Sequence, residues 1–135
     1  MTTVLSSIML IDDNKIDNMF HKRVIAKNLS YANVIAKESA EEALEHISAN
    51  PNNLPDIIFL DINMPGMNGW EFIEEYKKLD PDKKKSLVIV MLSHAENPDE
   101  TMKRKTLGIF ADFKTKPLDK EMLDEVIELY KSSSE

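Results

Sequence analysis

Asp56-Ile57-Ile58-Phe59-Leu60-Asp61 is the stretch that decides the fold. Four large apolar residues stand in a row between aspartates, with strand length and no alternating polar position. A strand that is apolar on both faces has to be covered on both faces, as in a parallel sheet between two layers of helices. Asn50 to Pro55, just before it, is turn chemistry. Outward in both directions the same kind of run recurs. Ile8-Met9-Leu10-Ile11 stops abruptly at Asp12-Asp13, and Leu87-Val88-Ile89-Val90-Met91-Leu92, the longest clean apolar run, ends at Ser93. Asn33 to Ala36 and Ala111 to Lys114 are shorter strand candidates.

Helical spacing fills the gaps. Ile16, Met19, Phe20 and Val24 fall on one predicted face. Ala40, Ala43, Leu44 and Ile47 form the next, behind Ser39 as N-cap with Glu42 three residues on. Phe72, Tyr76 and Leu79 form a third. Asn97-Pro98 reads as a cap and first helical residue, and Gly108 as that helix's stop. Leu123, Val126, Ile127 and Tyr130 share the last face. The order is therefore strand then helix, five times over. Right-handed crossovers put the C-terminal end of every strand on one edge of the sheet, where open α/β sheets hold their ligands.

At 135 residues the chain is sized for one domain, 1–135, with a core from about 7 to 131 and a tail, 132–135, expected to fray. The absence of cysteine excludes disulfides and thiolate metal sites. A net charge of −7 disfavours general nucleic-acid binding. No segment reaches the ~20 apolar residues of a membrane span, and the first residues carry no basic flank or signal-peptide core, so a cytoplasmic protein is the expectation. His21, His46 and His94 show no metal-ligand spacing. Lys83-Lys84-Lys85 reads as a solvated loop, and Lys103-Arg104-Lys105 lies on a weakly apolar fourth helix that reads equally well as partner-facing or as a plain solvated face.

The predicted edge collects Asp12 and Asp13 after the first strand, Asp61 after the third, Ser93 after the fourth and Lys116 past the fifth. Each alone has an ordinary role as a turn residue, a helix cap or a solvated charge. Together they are unusual. At ~5 Å and an effective dielectric of ~20, each carboxylate pair repels by roughly 3 kcal/mol, so such a site must take up a cation or a proton. Hard oxygen ligands without His or Cys favour Mg²⁺. Lys116 can then pair with a phosphoryl oxygen and Ser93 can hydrogen-bond one, which leaves one carboxylate free to act as nucleophile and form an acyl phosphate.

Four segments carry a family resemblance. Ile8-Met9-Leu10-Ile11-Asp12-Asp13-Asn14 resembles the opening of response-regulator receiver domains of two-component signalling, in their single-domain, chemotaxis-regulator-like form. Asp61-Ile62-Asn63-Met64-Pro65-Gly66-Met67-Asn68-Gly69 resembles their phosphorylation loop. Met91-Leu92-Ser93 and Lys114-Thr115-Lys116-Pro117 resemble their switch-hydroxyl and lysine segments. The likeness runs from about Ile8 to Tyr130. It implies a flavodoxin-like (βα)5 fold, a doubly wound five-stranded parallel sheet. It implies that Asp61 accepts a phosphoryl group from a histidine kinase or a histidine phosphotransfer protein. Mg²⁺ would be bound by the side chains of Asp13 and Asp61 and the backbone carbonyl of Asn63, with Asp12 acting through a water. The Lys116-Pro117 bond is cis in relatives. Ser93 and Phe113 would form the switch: Ser93 moves toward the phosphoryl group, Phe113 rotates into the vacated space, and the surface of the fourth helix, fifth strand and fifth helix changes its affinity for an unknown downstream protein or for a second copy of the chain. Static core packing explains Phe113 equally well.

Two positions depart from the pattern. His94 stands where relatives usually carry a small residue, and Phe113 lacks the hydroxyl of the tyrosine found in many of them. Asn63 and Ala95 lie where relatives influence attack by water. Since the receiver consumes the chain, signalling is expected through partner binding, phosphate relay or phosphate storage, with no turnover of an external substrate. Two other readings compete. An aspartate-nucleophile phosphohydrolase would use similar acyl-phosphate chemistry, but usually carries a second Asp where Asn63 stands. A constitutive interaction domain would keep the fold and lose the phosphorylation.

Overall fold

The computed structural model describes residues 5–80, 85–92 and 100–133. In chain order the elements are β1 (Ser7–Ile11), α1 (Lys15–Asn28), β2 (Asn33–Lys37), α2 (Ala40–Ala49), β3 (Ile57–Asp61), α3 (Gly69–Lys77), β4 (Leu87–Leu92), α4 (Glu100–Lys105), β5 (Ala111–Thr115) and α5 (Lys120–Ser133). The five strands form one sheet in the order β2-β1-β3-β4-β5, and all four pairings are parallel. This is the flavodoxin-like (βα)5 arrangement, whose order reverses between β1 and β3.

Every residue of β1, β3 and β4 is buried, as their unbroken apolar runs require. Successive side chains point to opposite faces. Ile8, Leu10, Ile57, Phe59, Leu87, Ile89 and Met91 pack with Ile25 of α1 and with Leu123, Val126 and Ile127 of α5. Met9, Ile11, Ile58, Leu60, Val88, Val90 and Leu92 pack with Ala43 and Ile47 of α2 and with Phe72, Ile73 and Tyr76 of α3. Each such side chain contributes about 1.5–3 kcal/mol on burial, so the core holds the central strands rigidly.

Local signals set the helix starts. Ser39 Oγ accepts from Glu42 N at 3.1 Å, as its position predicts. Asn68 and Glu71 form a reciprocal capping box on α3. Gly108, past the end of α4, has φ +90°, a conformation that favours glycine. The last helix runs on through Ser133, two residues into the stretch expected to fray.

One expected face is wrong at three of its four positions, Val24 alone packing against the core. Ile16, Met19 and Phe20 are 76%, 57% and 49% exposed, while α1 buries Asn18, His21 and Ile25. The helix begins directly above the carboxylate edge, so its first two turns present polar side chains to that edge and leave the apolar stripe outside. Ser93, His94, Ala95, Asn97, Pro98 and the run 83–84 lie outside the described residues.

Candidate functional site

The strand ends converge as the topology requires. Asp61 is the last residue of β3, and Asp12 and Asp13 follow β1 directly. Each of the three offers a carboxylate oxygen within 4.8 Å of the others. Asp12 and Asp61 are buried and Asp13 is exposed, so the cluster opens to solvent on one side. Backbone bonds fix the frame. Asp12 N donates to Lys37 O at 3.0 Å, and Lys116 N to Leu92 O at 2.9 Å, which ties the residue after β5 to the end of β4. The Lys116-Pro117 bond is cis.

The loop after β3 folds back against the site. Asn63 N donates to Asp61 Oδ1 at 3.2 Å, and Gly69 N to Ile62 O at 3.1 Å. A Cβ at Gly69 would lie 2.6 Å from Ile62 Cα and 2.9 Å from the Asp61 carbonyl oxygen. Only glycine permits that approach.

Lys116 reaches into the cluster from β5. Its Nζ lies 2.7 Å from Asp12 Oδ2, 3.1 Å from Asp17 Oδ2 and 3.7 Å from Asp61 Oδ1. Burial opposes its charge, but hydrogen bonds to Asp12 and Asp17 and the charges of Asp12 and Asp61 outweigh this and hold it above the usual lysine value. Burial pushes the Asp61 carboxyl up to about 6; the Asn63 amide and Lys116 pull it down, and the charges of Asp12 and Asp13 push it further up. A buried carboxylate that resists its own charge, ringed by hard oxygen donors, suits Mg²⁺.

Three residues of α1 belong to the site and were not read from the sequence. Asp17 holds Lys116. Asn18 Nδ2 donates to Asp12 O at 2.9 Å, and its buried Oδ1 has no hydrogen-bond partner. His21 is buried, and burial, followed by the charge of Lys116, lowers its pKa. Asn18, His21, Asp12, Asp61 and Lys116 border a cavity of about 10 Å³ behind the carboxylate cluster. The signal available for them was helical: Asn14 accepts from Ile16 N and Asp17 N as N-cap, which puts Asp17 in the first turn, and Asn18, His21 and Ile25 repeat at i, i+3, i+7.

Phe113, on β5, is half-buried against the α2–α3 side of the core. Its ring lies 6.4 Å from that of Trp70 on α3, and Lys105 Nζ of α4 sits 4.9 Å from the Trp70 ring centre. None of α4's residues is buried.

The response regulator receiver domain model matches residues 8–128. A two-component response regulator from Cytophaga hutchinsonii superposes with a TM-score of 0.81 at 28% identity, covering 95% of this chain and 98% of that one. The transcriptional regulatory protein YvrH of Bacillus subtilis is 40% identical over 74 residues, 53% of this chain and 30% of its own. A protein-glutamate methylesterase/protein-glutamine glutaminase of Treponema pallidum is 34% identical over 119 residues, 85% of this chain and 27% of its own. The chain thus spans less than a third of the length of these two curated relatives. No described helix is long and apolar enough to cross a membrane. Receiver domains bind Mg²⁺ at an acidic pocket and interact with histidine kinases and phosphotransfer proteins. With the strand order, the acidic crevice and a family match over nearly its whole length, the chain belongs to the response regulator receiver domains, the phospho-accepting modules of two-component signal transduction.

Proposed function

We propose that Asp61 is the residue of this receiver that takes the phosphoryl group. One observation carries the reading: Asp61 ends β3 among the oxygens of Asp12 and Asp13, with Lys116 Nζ 3.7 Å from its Oδ1. A carboxylate oxygen of Asp61 attacks the phosphorus of a phosphohistidine, on a histidine kinase or a phosphotransfer protein. The bond from phosphorus to the donor nitrogen breaks, and the imidazole keeps its electron pair. Lys116 supplies the cation for a phosphoryl oxygen. Asp13, Asp61 and the Asn63 backbone carbonyl are the ligands we assign to Mg²⁺, with Asp12 one shell further out. When bound, the ion supplies positive charge against the carboxylates and the incoming phosphoryl oxygens.

Ser93, next in the chain after the Leu92 that Lys116 bonds, is assigned a hydrogen bond to the phosphoryl group, and Phe113 the answering rotation. The readout is the surface of α4, β5 and α5. Its exposed Lys103 and Arg104 suit an acidic partner, and a second copy of the chain would compete for the same surface. The product stays on the protein, so no turnover of an external substrate is expected.

Labelling with acetyl phosphate tests this. The wild-type chain should label only with Mg²⁺, Asp61→Asn should not label, and Lys116→Met should label about 10²-fold more slowly. An Asp61→Asn protein that labels as fast as wild type would refute the assignment.

A further inference from the structure

Lys116 is bound to the wrong carboxylates for its assigned task. Its ammonium donates to Asp12 Oδ2 at 2.7 Å and to Asp17 Oδ2 at 3.1 Å. Asp61 Oδ1 lies at 3.7 Å, beyond hydrogen-bond reach. Both bonds draw the ammonium toward the β1–α1 side of the pocket. The two carboxylates holding it are not equivalent. Asp12 is buried, and its other oxygen already accepts from Asn14 N at 2.9 Å. Asp17 stands in the first turn of α1 with its side chain 39% exposed, and it is not one of the three clustered carboxylates. Its position is nevertheless fixed, because its own N–H is held by the Asn14 cap at 3.1 Å.

We propose that Asp17 is a positioning residue for phosphoryl transfer, holding Lys116 on the α1 side of the pocket in the resting chain, so that Lys116 engages a phosphoryl group on Asp61 only by giving up the Asp17 pair. Asp17 is thus a brake on phosphorylation that acts through Lys116. The inference rests on the assignment of Lys116 to the phosphoryl group. An acid in the first turn of a helix also has a plain structural use, since it complements the helix dipole. That use affects stability and leaves the affinity of the pocket for a phosphoryl-like anion unchanged.

The test is calorimetric titration with beryllofluoride in saturating Mg²⁺, with thermal unfolding alongside. Asp17→Asn removes the charge at nearly constant shape. It should bind beryllofluoride about two- to fivefold more tightly than wild type, the range set by a half-exposed ion pair. Asp17→Glu, which keeps the charge, should stay closer to wild type. In a Lys116→Met background the Asp17→Asn gain should disappear, because there is no ammonium left to release. Binding by Asp17→Asn that is unchanged or weaker overturns the proposal, as does a loss of stability with no change in affinity. An equal gain in the Lys116→Met background also overturns it, since the effect would then be the general field of one less negative charge. A wild-type chain that fails to bind beryllofluoride would bring down the acceptor assignment itself, and this inference with it.

Discussion

Asp61 stores unfavourable free energy in the unphosphorylated, metal-free chain. Burial first, then its carboxylate neighbours, bring its pKa from 3.8 to about 6. Between those values the native state binds more protons than the unfolded chain. The contribution of Asp61 to stability is therefore fullest below about pH 4 and is lost as pH rises through 6. At pH 8 in EDTA, Asp61→Asn should be more stable than wild type by about 1–3 kcal/mol in urea unfolding. Saturating Mg²⁺ should narrow the gap, because a ligand of the native state stabilises the wild-type site. An asparagine variant less stable than wild type in EDTA would mean that Asp61 is held by favourable partners rather than strained by its setting. The same residue was legible from sequence for a simple reason: it ends an unbroken apolar run. Asp17 was not, because no spacing rule links the first turn of α1 to a lysine 99 residues further along the chain.

At the scale of the element, α1 is the instructive case. Apolar periodicity put Ile16, Met19 and Phe20 inward, but the structure leaves them exposed and turns Asn18, His21 and Ile25 toward the sheet. Periodicity ranks positions by hydrophobicity alone. It fails where a helix lies over a polar crevice, because there the inward positions have to satisfy polar neighbours, as Asn18 does for Asp12 O. Ile16→Ser and Met19→Ser should each change unfolding free energy by no more than about 0.5 kcal/mol. Ile25→Ala, which empties a fully buried position, should cost about 2–5 kcal/mol. Large losses at Ile16 or Met19 would restore the periodic face. Helices α2, α3 and α5, packed on apolar strands, bury the faces their spacing predicted; Phe72, Tyr76, Leu123 and Val126 are fully buried.

In the whole molecule, the two edges of the sheet have separate work. The C-terminal edge gathers the carboxylates and Lys116. On the opposite edge Asp56, just before β3, accepts from Ser6 N at 2.8 Å, Ser7 N at 2.9 Å and Tyr130 OH at 2.9 Å, fastening α5 to the starts of β1 and β3. Burial and then this bond push the Tyr130 phenol up to about 12. Tyr130→Phe should cost about 1–2 kcal/mol in unfolding while leaving acetyl phosphate labelling at its wild-type rate, since the clamp is far from the acceptor. A large loss of labelling would show that the two edges are coupled. The topology was readable because three strands are apolar on both faces and stop at aspartate or serine, and their ends had to meet. The central claim is that this convergence makes Asp61, and neither Asp12 nor Asp13, the acceptor. The most direct measurement is borohydride reduction of the acetyl phosphate-treated chain, which converts an aspartyl phosphate to homoserine, followed by peptide mass spectrometry. Homoserine at position 61 alone is the predicted result; homoserine at 12 or 13, or at no aspartate, would contradict it.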